Sequence, residues 1–181
     1  MTENTEIVGA AAGYLADSGA EVLADFARLL QLPNVTGSVD DLRVNARELV
    51  RRFEERGAAM EMIELGEASP VVIGELRTES PTATLGVYVH YDGQPVDPAT
   101  WTVPPFSATL TSGPLHDGGE SIAYPGPGDE IDPEWRIYGR GASDDKTPLA
   151  AIAAALQALD RSGVERTVDL VFLFEGEEES G

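Results

Sequence analysis

The sequence predicts an α/β fold, in which a mixed or parallel sheet is covered by helices on both faces. Segments with the helical spacing of apolar residues alternate along the chain with short β-rich runs. One run, TVDLVFLF at 167–174, is apolar almost throughout and is bounded by charged residues, as in a strand covered on both faces. Folds of this class bind ligands beyond the carboxyl ends of their strands, so we look for candidate functional residues there.

Two helices are predicted before the first strand. In residues 17–31 the apolar side chains fall on one helical face, and Asp17 and Ser18 can cap its amino terminus. Residues 39–56 repeat this pattern, with Ser38 in position to open a capping box. The first helix ends ahead of a proline and the second ahead of a glycine, two residues that commonly terminate helices.

The period of the apolar residues then changes from helical to strand-like. Turn residues separate three β-rich runs, MEMIEL at 60–65, PVVIGELR at 70–77 and TLGVYVH at 84–90. Pro and Gly are frequent from 93 to 134, which predicts a long surface excursion with one hairpin around ATLTSG and GESIAY. A short strand, WRIYGRG, and a helix with Thr147 as its N-cap follow before the final strand.

The composition excludes several classes of site and partner. The chain has no cysteine, so any metal must be held by nitrogen and oxygen rather than by thiolates. Its net charge of -20 would repel the phosphates of nucleic acids and anionic membrane surfaces, and we expect neither as a partner. No apolar run of about eighteen residues and no secretion signal occurs, which predicts a cytoplasmic protein.

The strand TLGVYVH runs into the sequence HYD, so His90 and Asp92 leave it two residues apart and on the same side. A metal-bound imidazole commonly donates its second N–H to a carboxylate, which fixes the tautomer and orientation of the ring. His90 is therefore a candidate ligand, and Asp92 is the residue that would orient it. Such a pair by itself is more often a histidine satisfied by backbone or water.

Adjacent acids, Asp144 and Asp145, follow the predicted WRIYGRG strand. Two neighbouring carboxylates repel each other unless a cation is near, and a carboxylate can bridge two metal ions in a hydrolytic site. A single Asp near a helix start is also a common cap, since it favours the positive end of the helix dipole. The pair thus has a functional and a structural interpretation.

A third acidic cluster, EGEEESG, follows the buried strand at 167–174. A surface charge run and a site are equally good interpretations of its position alone. Together, three clusters of carboxylate or imidazole groups at three predicted strand ends are most simply explained as one metal site with nitrogen and oxygen ligands, which zinc, manganese or cobalt would suit. The chain has no GxSxG elbow and no GxxxxGK[ST] loop, so water is the expected nucleophile.

The segments HYDGQPVDPATW, WRIYGRGASDDK and EGEEESG together resemble the zinc metallopeptidase family of carnosine-type dipeptidases, acetylornithine deacetylase, succinyl-diaminopimelate desuccinylase and bacterial glutamate carboxypeptidase. The match extends from about Gly86 to Gly181. It implies a phosphorylase/hydrolase-like metallopeptidase catalytic domain, of which residues 1–181 would form the amino-terminal portion. The lid and dimerisation domain and the carboxy-terminal part of the catalytic domain would then lie outside this chain.

The resemblance also implies roles for individual residues. His90 looks like a ligand of one metal, Asp144 like the bridging carboxylate and Glu179 like a ligand of the other metal. Asp92 resembles the residue that steadies the histidine, and Glu178 the general base that takes a proton from the attacking water. Two divalent ions are implied, with zinc expected and manganese or cobalt as alternatives. The family supplies one more carboxylate and a second histidine, so each metal lacks a ligand here.

Among the branches of the family, HYDGQPVD with a long loop before WRIYGRGASDDK looks more like the dipeptidases than the deacylases. The implied protein is a homodimeric dipeptidase that hydrolyses an amide bond with metal-activated water. One alternative is a deacylase of N-acyl amino acids on the same scaffold. Another is a catalytically incomplete fragment that acts as a binding module, since two protein ligands per ion should hold zinc poorly. His116, in the Gly-rich excursion, is expected to be solvated.

Overall fold

The structure, a computed structural model, describes residues 3–181, and within this range the side chains of residues 3–6 and of Ala10 are not described. The α-helices of this part of the chain are α1 (Glu3–Leu30), α2 (Val39–Glu54) and α3 (Lys146–Ser162). Its strands are β1 (Ala59–Leu65), β2 (Ala68–Leu76), β3 (Ala83–His90), β4 (Thr109–Thr111), β5 (Arg136–Tyr138) and β6 (Val168–Glu175). None of the described helices is long and apolar enough to cross a membrane.

The main sheet has the order β1-β2-β6-β3, with β3 parallel and β2 antiparallel to the central strand β6. Alternate residues of β6 point to opposite faces, and Phe172 and Phe174 pack with Phe53 of α2 at centroid distances of 5.0 Å. Leu149 of α3 joins the same core. The helices α2 and α3 therefore cover one face of a mixed sheet, and the α/β class is confirmed.

The opposite face of the main sheet is open in the part of the chain that the structure describes. Tyr88, Val171 and Leu173 lie on it and are 54%, 40% and 41% exposed. The run TVDLVFLF is apolar on both sides, as expected for a strand covered on both faces. The helices α2 and α3, however, cover only one face of the main sheet. The expectation of helices on both faces is thus met on one face.

The start of α1 differs from the prediction. The helix begins at Glu3 rather than at Asp17 or Ser18, and both of these residues lie within it. Ser18 is buried between α1 and α3, where Arg161 donates a hydrogen bond to its hydroxyl at 2.6 Å. The upstream residues are rich in alanine, which has a high helix propensity, and from Tyr14 onward the helix packs against α3.

The predicted caps of the other two helices are wrong in detail. Ser38 precedes α2 as predicted, but its side chain makes no capping hydrogen bond. The third helix begins at Lys146, one residue before the predicted cap Thr147, whose hydroxyl donates to the carbonyl of Ala142 instead. Gly163 ends α3 in the left-handed conformation, with φ of 68°. Helix positions follow from apolar spacing, whereas caps depend on the path of the preceding loop.

The strand predictions are confirmed, and the Pro- and Gly-rich excursion contains the predicted hairpin together with one further strand pairing. ATLTSG and GESIAY pair through a bridge between Thr111 and Ser121, flanked by backbone hydrogen bonds of 2.9 Å. The other edge of β4 pairs with β5, forming a separate two-stranded sheet. The WRIYGRG strand therefore does not belong to the main sheet. The sequence did not indicate this because β5 pairs across a gap of more than twenty residues.

Candidate metal centre

The parallel neighbours β3 and β6 end together at one edge of the main sheet. His90 lies opposite Glu175 in the register, and the amide of Tyr91 donates to the carbonyl of Glu175 at 2.8 Å. The segments that follow both strands therefore emerge side by side. This is the arrangement that the carboxyl ends of parallel strands produce, and it brings two of the three predicted clusters together.

His90 is the centre of the cluster. Its Nε2 lies 2.9 Å from Asp144 Oδ1, 3.9 Å from a Glu178 carboxylate oxygen and 4.0 Å from an Asp145 carboxylate oxygen. Its Nδ1 faces Asp92 Oδ1 at 3.3 Å. Burial opposes protonation of the imidazole, but the hydrogen bond to Asp144 and the charges of Asp92 and Asp145 outweigh burial, so the pKa of His90 is raised.

Asp144 reaches the site by a different route from the one the sequence suggested. It follows β5 of the small sheet, and α3, which starts at Lys146 and packs against β3, places it beside His90. Burial raises the pKa of the Asp145 carboxyl, and the neighbouring charge of Asp144 adds to this effect while His90 opposes it. The Asp144–Asp145 peptide bond is cis. Both acids face the imidazole, at the distances given above.

Asp92 connects the two strand ends. It is fully buried, and while Oδ1 faces His90, Oδ2 accepts a hydrogen bond of 3.1 Å from the backbone N–H of Glu179. One carboxylate therefore sets both the orientation of the imidazole and the position of the turn after β6. The sequence predicted the first of these contacts and not the second.

The acidic run after β6 divides into two groups. Glu178 and Glu179 face His90: each of the three residues offers a ligand atom, and these atoms lie within 4.8 Å of one another. Glu177 turns away, and its carboxylate accepts the amide N–H of Ser69 at 2.9 Å. The site interpretation therefore suits Glu178 and Glu179, whereas Glu177 has a structural role.

The donor set of this cluster fits a divalent cation. In the described part of the chain no Lys or Arg forms an ion pair with the carboxylates around His90, and the imidazole is their positively charged neighbour only when protonated. Lys146, adjacent in sequence, is buried and directs its ammonium to main-chain carbonyls of Leu29 and Leu32. Imidazole and carboxylate ligands suit zinc, manganese and cobalt. His90, Asp144, Glu178 and Glu179 are the residues that could hold such ions.

Sequence reasoning missed two residues of this region. Gln94 donates to a carboxylate oxygen of Glu179 at 2.6 Å, and its place directly after the HYD motif was the available signal. Asn34, in the α1–α2 connection, is fully buried and donates to the carbonyl of Tyr91 at 2.8 Å. It carries no local signal, because its neighbours in space are 57 or more residues away in sequence. His116, as predicted, is exposed on a loop.

Comparison with known proteins shows the family to which this chain belongs. Cys-Gly metallodipeptidase dug1 of Schizosaccharomyces pombe is 29% identical over 175 residues, which are 89% of this chain and 32% of that protein. Human Beta-Ala-His dipeptidase is 29% identical over 113 residues, which are 62% of this chain and 18% of that protein. The chain thus spans about a third or less of the length of these relatives.

Solved structures show the same fold. The dipeptidase Dug1p from Saccharomyces cerevisiae matches 99% of this chain with a TM-score of 0.74 and 23% identity, over 36% of its own chain. Human carnosine dipeptidase 1 matches 96% of this chain with a TM-score of 0.76 and 21% identity, over 35% of its own chain. The sequence pattern of peptidase family M20/M25/M40 matches residues 86–181, the part that contains all three acidic segments. The chain belongs to peptidase family M20/M25/M40.

Proposed function

We propose that the protein carrying this chain is a two-metal zinc dipeptidase, in which residues 1–181 form the amino-terminal portion of the catalytic domain. The observation that supports it best is the cluster around His90, where carboxylates from two other segments converge on one imidazole without a Lys or Arg to neutralise them in the described residues. A cluster of like charges of this kind is stabilised by cations.

Each ligand has a distinct part in the proposal. His90, Asp144 and Glu179 would hold the ions, with Asp144 as the carboxylate shared between them, and buried Asp92 keeps the His90 ring in place through Nδ1. Zinc, when bound, would polarise the amide carbonyl and acidify a water molecule. Manganese or cobalt would serve the same chemistry. The remaining ligands are expected from parts of the protein outside residues 1–181.

Glu178 is the proposed general base. Its carboxylate lies 3.9 Å from His90 Nε2, and about half of its side chain is exposed, so a water molecule can reach both groups. Glu178 takes a proton from the water as its oxygen adds to the amide carbon, and then delivers that proton to the departing nitrogen as the C–N bond breaks. The products are an amine and a carboxylate.

Dipeptides are the proposed substrates because the relatives are named as Cys-Gly and Beta-Ala-His dipeptidases. The net charge of -20 argues against nucleic acid and anionic membrane as partners, and the complete protein is proposed to be a homodimer. Deacylation of N-acyl amino acids is the second candidate, favoured by the scaffold that it shares with the dipeptidases. The third is a binding module, favoured by the incomplete ligand set of residues 1–181.

The test uses the protein purified at its native length and reloaded with zinc. Hydrolysis of Cys-Gly and β-Ala-His is measured beside N-acetyl-glycine and N-acetyl-histidine, which have the same carboxy-terminal residues but no free amine. Faster hydrolysis of the dipeptides is expected. Faster hydrolysis of the acetylated compounds would favour a deacylase. If none of the four compounds is hydrolysed, with or without added zinc, the result would favour a binding module.

A further inference from the structure

Two buried residues that belong to no ligand set, Asn34 and Lys146, attach the two ligand-bearing loops to one short piece of chain. This piece is the α1–α2 connection, residues 31–38. We propose that the connection is a template that sets the separation of the His90 loop from the Asp144 loop, with Asn34 and Lys146 as positioning residues. The inference rests on the proposed metal site.

Asn34 binds the loop that follows β3. Its side-chain Nδ2 donates to the carbonyl of Tyr91 at 2.8 Å, and its own carbonyl accepts the amide N–H of Gly93 at 2.8 Å. The amide of Thr36 donates to the carbonyl of Gly93 at 2.9 Å. These three hydrogen bonds hold the segment on both sides of Asp92, so the connection fixes the path of the loop that carries Asp92, while the pairing of β3 with β6 holds the backbone of His90.

Lys146 binds the other loop to the same connection. Its side chain is fully buried, and Nζ donates to the carbonyls of Leu29 at 3.0 Å and Leu32 at 2.8 Å, at the carboxyl end of α1. Its amide N–H donates to the carbonyl of Gly141 at 2.9 Å, which closes the turn that carries Asp144. A cation on these carbonyls also complements the negative end of the helix dipole.

The two attachments meet at Gly141. A Cβ at this position would lie 3.3 Å from Asn34 Nδ2 and 3.2 Å from Lys146 Cδ, so there is no spare room between the two side chains. His90 and Asp144 are 54 residues apart in sequence, yet Nε2 and Oδ1 are 2.9 Å apart. Such a contact needs a rigid support, because displacement by about 1 Å is enough to impair a metal or catalytic site.

The stability of the fold does not explain why polar side chains are buried at Asn34 and Lys146. Burying an ammonium or an amide opposes folding unless all its hydrogen bonds are made, and Oδ1 of Asn34 is buried without a partner among the residues that the structure describes. An apolar residue of similar volume would fill the same space without this penalty. Retaining polar groups here is consistent with a directional requirement, which hydrogen bonds meet and apolar contacts do not.

The experiment compares metal binding by Asn34→Ala and Lys146→Met with that of Asp169→Asn. Asp169 is the control: it is also buried, and it accepts two hydrogen bonds of 2.9 Å, from Arg77 and from the amide N–H of Thr78, at the end of β6 away from the connection and both ligand loops. Affinity for Co²⁺ is measured by competition with a chelator, the geometry of the site by the visible spectrum of bound Co²⁺, and folding by circular dichroism.

Asn34→Ala and Lys146→Met are expected to weaken Co²⁺ binding by about 10- to 100-fold and to change its spectrum, although every ligand is retained. Asn34→Ser, a milder change that keeps a donor on a shorter side chain, should fall between Asn34→Ala and the unaltered protein. Asp169→Asn should lower stability and leave affinity and spectrum unchanged. Affinities within twofold of the unaltered protein for the Asn34 and Lys146 variants, or an equal loss in Asp169→Asn, would overturn this inference and leave the proposed function standing. Absence of Co²⁺ binding that depends on His90 would overturn the proposed function as well.

Discussion

The two ends of the central strand β6 both carry carboxylates, but the protein treats them differently. At the amino end, Asp169 accepts hydrogen bonds of 2.9 Å from the guanidinium of Arg77 and from the amide N–H of Thr78. The hydrogen bond from Arg77 and that from Thr78 hold the pKa of the Asp169 carboxyl below its usual range. The ionised form of this carboxylate is therefore stabilised by an ion pair and a backbone hydrogen bond within the fold.

At the carboxyl end of β6 the balance is reversed. The acids around His90 converge on an imidazole, and in the described residues no Arg or Lys forms an ion pair with them. The pKa of Asp145 is raised here, by burial first and by the charge of Asp144 as well. The carboxylates at the two ends of β6 thus have different surroundings: Asp169 is paired with a guanidinium, whereas those around His90 have no Lys or Arg partner in the described residues.

The largest effect is expected from removing the carboxylate of Glu178, the proposed general base. In the native-length protein, Glu178→Gln is expected to lower kcat for a dipeptide by at least about 100-fold, because the amide cannot accept the proton of the attacking water. Zinc affinity should change much less. Glu177→Gln is the matched control, since Glu177 contacts Ser69 instead of the site, and its kcat should stay within about threefold. Equal losses in both variants would contradict the assigned roles.

Removing the imidazole of His90 tests the proposed metal site directly. His90→Ala is expected to weaken zinc binding by at least about 100-fold, because the remaining carboxylates lose the nitrogen ligand around which they are arranged. Isothermal titration calorimetry on the folded variant measures this effect. Asp169→Asn, at the other end of the same strand, should bind zinc as the unaltered protein does. Zinc binding that survives in His90→Ala would place the site elsewhere.

Asp169→Asn tests the structural end. It should lower Tm by about 3–6 °C, because the ion pair with Arg77 is lost and the hydrogen bond from Thr78 is weakened. Differential scanning calorimetry measures the shift. An unchanged Tm would show that Arg77 and Asp169 contribute nothing beyond what solvent supplies.

Asp169→Asn should also change the way in which Tm depends on pH. The pKa of Asp169 is lower in the folded than in the unfolded chain, so its stabilising contribution is present above the ordinary pKa of about 4 and is lost as the pH falls through the lower, folded value. The fall in Tm between about pH 5 and pH 2.5 should therefore be shallower in Asp169→Asn. Parallel curves for the two proteins would contradict this assignment.

The smallest effect is expected outside both ends of β6. His116 has a side chain that is 79% exposed on a loop, beside Asp117. Its replacement by Ala should leave zinc affinity, kcat and Tm within about twofold or 1 °C of the unaltered protein. Zinc titration calorimetry, dipeptide hydrolysis and differential scanning calorimetry measure these three quantities. A large loss of zinc binding would mean that the excursion folds over the site in the active protein.

Local features of the sequence predicted the main strands, and they placed His90 and the acidic run of residues 175–179 at the ends of β3 and β6. Strands β3 and β6 are recognisable because apolar and β-branched residues recur with a period that the backbone geometry sets. His90 and Asp92 could be paired for the same reason, since residues two apart in an extended segment share a side. Family membership, too, depended on short contiguous motifs.

The tertiary structure decided what depends on contacts between distant segments. It separated Glu177 from Glu178 and Glu179 by the direction of a turn, brought Asp144 to His90 by way of α3, and placed Asn34 beneath both loops. It also showed that α1 begins at Glu3 and packs against α3 from Tyr14 onward. By itself the sequence determined which residue types stand at the strand ends, because periodicity is local. Which of them meet was decided by packing, because hydrogen bonds and burial act between residues that are close in space whatever their separation along the chain.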